Sequence, residues 1–340
     1  MSRILVTGGA GYIGTHVLAA LSEAGHHSIP VDNFSNSSPA AAERLRQVSP
    51  RISAPVKIDM RDRMALSDLL AREEVDAVIH LAGLKAVGES VEQPLRYYDN
   101  NVRGTVTLLQ ALAEANVTRF VFGSSATVYS PGGTTPSTEQ SALGPTSPYG
   151  RTKRLIEQIL EDTAAADPRW RIAILRYFNP AGAHSSGVIG EHPRGVPNNL
   201  MPYICRVAAG QLSRLRIFGN DYPTPDGTGV RDYIHVCDLA EGHVAALSVL
   251  EGIPAGEVLT ANLGTGRGVS VQELVETFER VNGIAIPRET VSRRPGDVAV
   301  YCANPDFARS RLGWKTRRSL EDICRDAWRY AERSAREKWA

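Results

Sequence analysis

Ile4-Leu5-Val6-Thr7-Gly8-Gly9-Ala10-Gly11-Tyr12-Ile13-Gly14 is a short apolar strand followed at once by glycines at 8, 11 and 14, then by a helical run that stops at Gly25. Glycine lets the backbone turn sharply, approach a pyrophosphate closely and pack the next helix on a sheet, while the helix N-terminus offers unpaired amides to an anion. A second strand, Ser28–Val31, leads to Asp32, eighteen residues after Gly14. A carboxylate there would bind the hydroxyls of an adenosine ribose and repel a 2′-phosphate, which selects NAD over NADP.

Outward from this stretch, Val75–His80, Phe120–Phe122 and Ile172–Leu175 are β-rich runs too short for helices. Between them Val102, Val106, Leu109 and Leu112 recur at helical spacing. The alternation predicts an α/β fold, a doubly wound parallel sheet joined by right-handed crossovers. After Phe178 the texture changes to Pro- and Gly-rich loops, Asn179-Pro180-Ala181-Gly182, Arg194-Gly195-Val196-Pro197 and Tyr222-Pro223-Thr224-Pro225, with a β/α stretch at Tyr233–Leu250 and a helix at Val271–Val281. Single cores stop growing near ~250–300 residues. The 340-residue chain is therefore expected to divide into a cofactor domain over residues 1–180, with returning segments around 231–262, and a smaller, irregular α/β substrate-binding lobe over 181–340.

Charge excludes little but favours nothing basic: 38 Lys and Arg against 37 Asp and Glu give +1, with no footprint for nucleic acid or an anionic membrane. Cys205, Cys237, Cys302 and Cys324 form no CxxC pair, no His/Cys/Asp/Glu grouping has metal-ligand spacing, and no run approaches the ~18 apolar residues of a membrane span. The N-terminal segment lacks the pattern of a signal peptide, so a reduced cytoplasmic protein is expected. His80, ending a buried strand, reads as a core histidine.

Ser147-Pro148-Tyr149-Gly150-Arg151-Thr152-Lys153 opens a helix, with Ser147 at the N-cap and Pro148 at the first helical position. Tyr149 and Lys153 then share one face. A tyrosine of pKa ~10 is a poor base at neutral pH, but a neighbouring ammonium and a nicotinamide cation both favour phenolate. Tyr149 is thus the candidate general base and acid for a sugar hydroxyl, with Ser125, delivered by the strand Phe120–Phe122, beside it.

Together the glycine pattern, Ser125 and the YxxxK pair resemble the extended short-chain dehydrogenase/reductase family. Leu81-Ala82-Gly83-Leu84-Lys85-Ala86-Val87-Gly88-Glu89-Ser90, Tyr97-Tyr98-Asp99-Asn100-Asn101, Ser124-Ser125-Ala126-Thr127-Val128-Tyr129, Leu175-Arg176-Tyr177-Phe178-Asn179-Pro180, Pro197-Asn198-Asn199-Leu200-Met201-Pro202-Tyr203, Ile217-Phe218-Gly219-Asn220-Asp221-Tyr222-Pro223 and Gly227-Thr228-Gly229-Val230-Arg231-Asp232-Tyr233-Ile234-His235-Val236 are similar to its UDP-glucose 4-epimerase branch, over essentially the whole chain. The resemblance implies an isomerase that interconverts UDP-glucose and UDP-galactose in galactose metabolism, with NAD as a resident prosthetic group, in a homodimer. It implies that Gly8, Gly11, Tyr12, Ile13 and Gly14 meet the pyrophosphate, Asp32 and Asn33 the ribose, and Asp59 and Met60 the adenine. Leu81, Ala82, Gly83, Lys85 and Asn100 would line the cofactor cleft, Lys153 would bond the nicotinamide ribose, and Phe178 would pack at the nicotinamide end. Lys85, Ser125, Tyr149, Asn179, Asn199, Arg216, Ile217, Phe218, Arg231, Arg294, Asp297 and Tyr301 would bind the UDP-sugar. Tyr301, set beside the hexose, implies a preference for plain over N-acetylated sugars.

The sequence departs from the family pattern at Gly123, where serine is common, in a short loop Ser130–Thr138, and at Asn304, where aspartate often stands. Two rival readings remain on the same fold. A 4,6-dehydratase needs an added acid/base pair, but Ala126 and Thr127 follow Ser125. A non-catalytic sensor has no need of Ser125, Tyr149 and Lys153 together.

Overall fold

Strands that are apolar at consecutive positions need cover on both faces, and the predicted runs are used in that way. The computed structural model describes every residue except Pro50, Thr134, Pro295, Lys338 and Ala340. Its strands are β1 (Arg3–Thr7), β2 (His27–Asp32), β3 (Val56–Lys57), β4 (Ala77–His80), β5 (Arg119–Ser125), β6 (Arg171–Tyr177), β7 (Asn179–Ala181), β8 (Leu215–Phe218), β9 (Val230–Arg231), β10 (Tyr233–His235), β11 (Val258–Leu263), β12 (Val269–Ser270), β13 (Arg288–Val291) and β14 (Val300–Tyr301). Helices α1 (Tyr12–Glu23), α2 (Pro39–Val48), α3 (Arg63–Arg72), α4 (Val87–Glu92), α5 (Pro94–Tyr97), α6 (Gly104–Glu114) and α7 (Pro148–Ala166) fall in the first half. The second half carries α8 (Leu200–Ala208), α9 (Val236–Val249), α10 (Val271–Asn282), α11 (Asp306–Leu312) and α12 (Leu320–Arg336).

Seven strands form one parallel sheet in the order β11-β6-β5-β4-β1-β2-β3. The chain runs outward from β1 to β3, crosses back to β4 beside β1, and proceeds to the other edge. The strand order therefore reverses at β1, and the crevice outside the carboxyl ends of β1 and β4 is the switch point where such sheets bind ligands. One face is covered by Val17, Leu18 and Leu21 of α1 with Leu239, Ala240 and Leu247 of α9, joined by Leu312 and Trp314. The other is covered by Leu66 and Leu69 of α3, Leu108 and Leu112 of α6, and Ile156 and Leu160 of α7. A third core, with Ile204, Cys205, Leu215, Leu274, Phe278 and Ile323, lies among α8, α10, α12 and β8.

The strand expected from Val75 starts two residues later. Asp76 N still bonds Arg3 O, and register with β1 begins only where Ala77 meets Ile4. The helix expected around Val102 is preceded by a wider π-helical turn, Tyr98–Arg103. Two-residue β3 is too short for any periodic signal. Cys205, Cys237, Cys302 and Cys324 form no disulfide. Among the described residues no helix is long and apolar enough to cross a membrane.

Candidate active site

The glycine turn leaves β1 with Gly8 at φ +69°, a left-handed conformation that side chains disfavour. A Cβ there would lie 2.8 Å from Ala82 N, and one on Gly14 would lie 2.1 Å from Gly8 O, so the first turn of α1 can sit this close to β1 only with glycine. Gly11 is the N-cap and carries no side chain to cap the helix, which leaves the leading amides of α1, those of Tyr12 and Ile13 among them, open to an anion. That chemistry fits a dinucleotide pyrophosphate. Tyr12 is turned away from the amides, its hydroxyl donating to Gly182 O at 2.8 Å.

Asp32 ends β2, buried. Its Oδ1 accepts from Phe34 N and Ser37 Oγ, each at 2.8 Å, and its Oδ2 from Ala10 N at 3.1 Å. One lone-pair direction on Oδ2 is left for a ribose hydroxyl. Asn33 donates from Nδ2 to Asp59 Oδ2 at 3.0 Å, and Arg61, bonded to the same carboxylate, holds Asp59 well below the usual carboxylate range. Met60 is buried in the core beneath this corner.

On the other side of the crevice Thr7 Oγ1 accepts from Leu81 N and Ala82 N, each at 3.2 Å. Asn101, from the wide turn, accepts from Leu84 N at 2.8 Å and donates to Leu84 O at 3.0 Å and to Thr152 Oγ1 at 3.2 Å. It ties the loop Leu81–Lys85 to α7, and Asn100 bonds to it at 3.0 Å. His80 is bonded at both ring nitrogens, to Thr7 and Thr105. Burial pushes its pKa down to about 3.

Helix α7 begins as expected: Ser147 Oγ accepts from Gly150 N at 3.1 Å and Pro148 follows. Tyr149 and Lys153, one turn apart, are both buried. Ser125 Oγ accepts from Thr127 N at 3.2 Å and Thr127 Oγ1 at 3.0 Å. Its own proton is thereby left free to point toward the Tyr149 phenol, whose pKa Ser125 lowers. The Lys153 ammonium is turned to Gly123 O, at 2.7 Å, and lies 4.7 Å from the centroid of the Phe122 ring. Burial raises the Tyr149 pKa and Ser125 draws it back, while desolvation lowers Lys153 to about 8 against an opposing pull from Glu157. The phenolate at this site thus calls for an added positive charge, which a bound nicotinamide cation carries. Gly123 also has a reason: a Cβ there would lie 2.4 Å from the Tyr177 hydroxyl.

Of the substrate-side positions, Tyr301 lies beside this centre. The Tyr301 ring packs at a tilt against Phe178 with centroids 5.3 Å apart, and its hydroxyl donates to Ala126 O, next to Ser125. Asn179 opens β7 in register with Tyr233. Lys85 Nζ and Asn199 Nδ2 both bond Glu191 Oε1, at 3.1 and 2.7 Å. Arg231 pairs with Asp297 at 3.4 Å, and the Arg294 guanidinium lies 3.8 Å from the centroid of the Phe218 ring. The side chains of Arg216 and Ile217 do not join them: along β8 alternate residues face opposite ways, so Arg216 points to solvent beside Glu289 while Ile217 enters the third core. Pro295, within the expected run Arg294–Tyr301, lies outside the described residues.

Thr7, Asn101, Thr127, Tyr177 and Glu157 were not singled out from sequence. Glu157 continues the Tyr149/Lys153 spacing by one more turn, a signal that was available. It accepts from Ser124 Oγ at 2.6 Å and pairs with Arg176. The others act through bonds that only the folded chain brings together. Among the described residues no group of three His, Cys, Asp or Glu could hold a metal.

Residues 4–264 match the model of the NAD dependent epimerase/dehydratase family. The chain is 51% identical over 331 residues to the UDP-glucose 4-epimerase of Neisseria meningitidis serogroup C, covering 97% of each chain. It is 52% identical over 327 residues to that of Bacillus subtilis, covering 96% of each. Among solved structures it is similar to a UDP-glucose-4-epimerase from Stenotrophomonas maltophila with bound NAD and formylated UDP-arabinopyranose, with a TM-score of 0.96 and 47% identity over 99% of this chain and 100% of that one. The enzyme from Bifidobacterium longum in complex with NAD+ and UDP gives 0.93 and 46%, over 98% and 99%.

Proposed function

The chain belongs to the NAD dependent epimerase/dehydratase family, and from that premise we propose that it interconverts UDP-glucose and UDP-galactose by inversion at C4. The observation that carries this is the grouping of Thr127, Ser125 and buried Tyr149 at the carboxyl end of β5, with Thr127 Oγ1 donating to Ser125 and Ser125 lowering the Tyr149 pKa, in a chain whose first strand ends in a glycine turn suited to a pyrophosphate. NAD, when bound, supplies a hydride acceptor that returns the hydride to the same carbon. Tyr149 takes the proton of the sugar 4-hydroxyl, directly or through Ser125, and later gives it back. Lys153, bonded to Gly123 O, would hold the nicotinamide ribose. Asp32 and the amides of α1 hold the adenosine half and the pyrophosphate. Arg231, Arg294, Asn179 and Asn199 grip the UDP handle, which leaves the hexose free to turn as a 4-keto sugar between the two hydride transfers. In place of the added acid/base pair that a dehydratase would need beside the serine stand Ala126 and Thr127, and the Thr127 hydroxyl is already given to Ser125. Incubation with UDP-galactose without added NAD, followed by separation of the sugar nucleotides, tests the reading: UDP-glucose is expected, and its absence refutes it.

Residues 1–180 with segments around 231–262 act in this reading as the cofactor half, and the remainder mainly as the substrate half. The active form is a cytoplasmic homodimer serving galactose metabolism. Supporting the dimer, Val87, Val91 and Leu95 recur four apart along α4 and α5 and are 46%, 64% and 81% exposed, beside Leu155 of α7. Four unpaired cysteines suit a reducing compartment.

A further inference from the structure

The segment from Glu191 to Asn199 leaves the substrate side of the molecule and is fastened to loops on both flanks of the glycine turn. Arg194 forks onto the loop that follows β2, its two terminal nitrogens donating to Ser35 O at 2.9 Å and Ser37 O at 2.7 Å. At the start of the segment, Glu191 takes Lys85 Nζ from the loop that follows β4, and with the same oxygen the amide of Asn199. Arg206 of α8 stiffens the stretch between by donating to Pro193 O and Gly195 O at 2.8 and 2.6 Å. In the sheet β1 lies between β4 and β2. A span from Lys85 to Ser35 and Ser37 therefore crosses the ground in front of the turn that follows β1.

The loop held by Arg194 is also one that needs holding. Phe34 has φ +58°, a left-handed conformation that a residue with a side chain disfavours. Asp32 restrains the loop from within, through Phe34 N and Ser37 Oγ. Arg194 restrains it from the opposite lobe, and a guanidinium suits this because its fork reaches two carbonyls at once.

We propose that Glu191–Asn199 is a latch over the dinucleotide, closed on the adenosine side by Arg194, and that it sets the rate at which NAD leaves without taking part in the chemistry. The proposal rests on the reading of the glycine turn as an NAD site.

The test uses purified holoprotein, wild type, Arg194→Ala and Arg194→Lys. Each is diluted into cofactor-free buffer, and NAD remaining on the protein is assayed over time after denaturation. Arg194→Ala is expected to release NAD about tenfold faster or more, the effect of losing charge-assisted hydrogen bonds, and Arg194→Lys, which can keep one carbonyl, to fall between. At saturating NAD all three should turn over within twofold of one another, and thermal unfolding of the cofactor-free proteins should coincide. Release from Arg194→Ala within twofold of wild type refutes the latch while leaving the NAD site intact. A loss of turnover that saturating NAD does not restore also refutes it. A wild-type protein that carries and binds no NAD overturns the cofactor reading itself, and the latch with it.

Discussion

Lys153→Met should abolish turnover and yet leave the cofactor-free protein as stable as wild type, or more stable, at pH 7. Lys153 is 6% exposed, and desolvation lowers its pKa from 10.5 to about 8. At ~1.4 kcal/mol per pH unit, the fold bears about 3 kcal/mol for holding the charged form. Methionine keeps the apolar stem and removes the charge. The variant loses the bond to Gly123 O, worth about 1–2 kcal/mol with the acceptor left unpaired. Glu157 is not orphaned, because Arg176 still pairs with it at 2.8 Å. The difference favours the variant by about 1–2 kcal/mol. A lysine whose folded pKa lies below its unfolded value binds its proton less tightly when folded, so wild-type stability gains from rising pH between about 8 and 10.5, while the full cost stands below about 8. The variant lacks this term. Its advantage should therefore shrink above pH 8, by up to ~1.4 kcal/mol per pH unit. Urea unfolding of both NAD-free proteins at pH 6.5, 7.5, 8.5 and 9.5 measures this directly, since other titrating groups cancel in the difference. Destabilisation of the variant by more than 2 kcal/mol at pH 7, or a difference that does not change with pH, would refute the reasoning.

Tyr149→Phe should fold and retain NAD but lower turnover by at least ~10²-fold, as for a lost general base; turnover within threefold of wild type removes Tyr149 from that role. Gly14→Ala places a Cβ 2.1 Å from Gly8 O; the turn must open, and NAD recovered from the purified variant should fall to a small fraction of wild type. Tyr301→Ala removes the ring packed against Phe178 and should raise the kcat/KM ratio of N-acetylated to plain UDP-sugars by about tenfold or more, since overfilling a packed pocket costs ~1–3 kcal/mol. If the variant only loses thermal stability and the ratio stays put, Tyr301 is a packing residue.

The glycine turn and the helix that carries Tyr149 and Lys153 were legible in the sequence because their signals are local. A strand, a glycine turn and a helix within Ile4–Gly25 force one geometry on their own backbone, and the four-residue spacing of Tyr149 and Lys153 is a property of any helix they share. The family resemblance supplied the substrate side. What only the tertiary structure decided is where each polar group spends its bonds. The Lys153 ammonium sits one turn from the phenol, yet it turns to Gly123 O, because β5 brings that carbonyl within 2.7 Å. Thr127 donates to Ser125, Tyr177 crowds any side chain at Gly123, and Asn101 ties the loop Leu81–Lys85 to α7. Arg194 reads in sequence as one more loop arginine, and its partners lie more than 150 residues away, on the far side of the cofactor crevice. Helix and strand follow from neighbours along the chain, whereas a buried hydrogen bond is chosen by whichever partner the packed core leaves within reach.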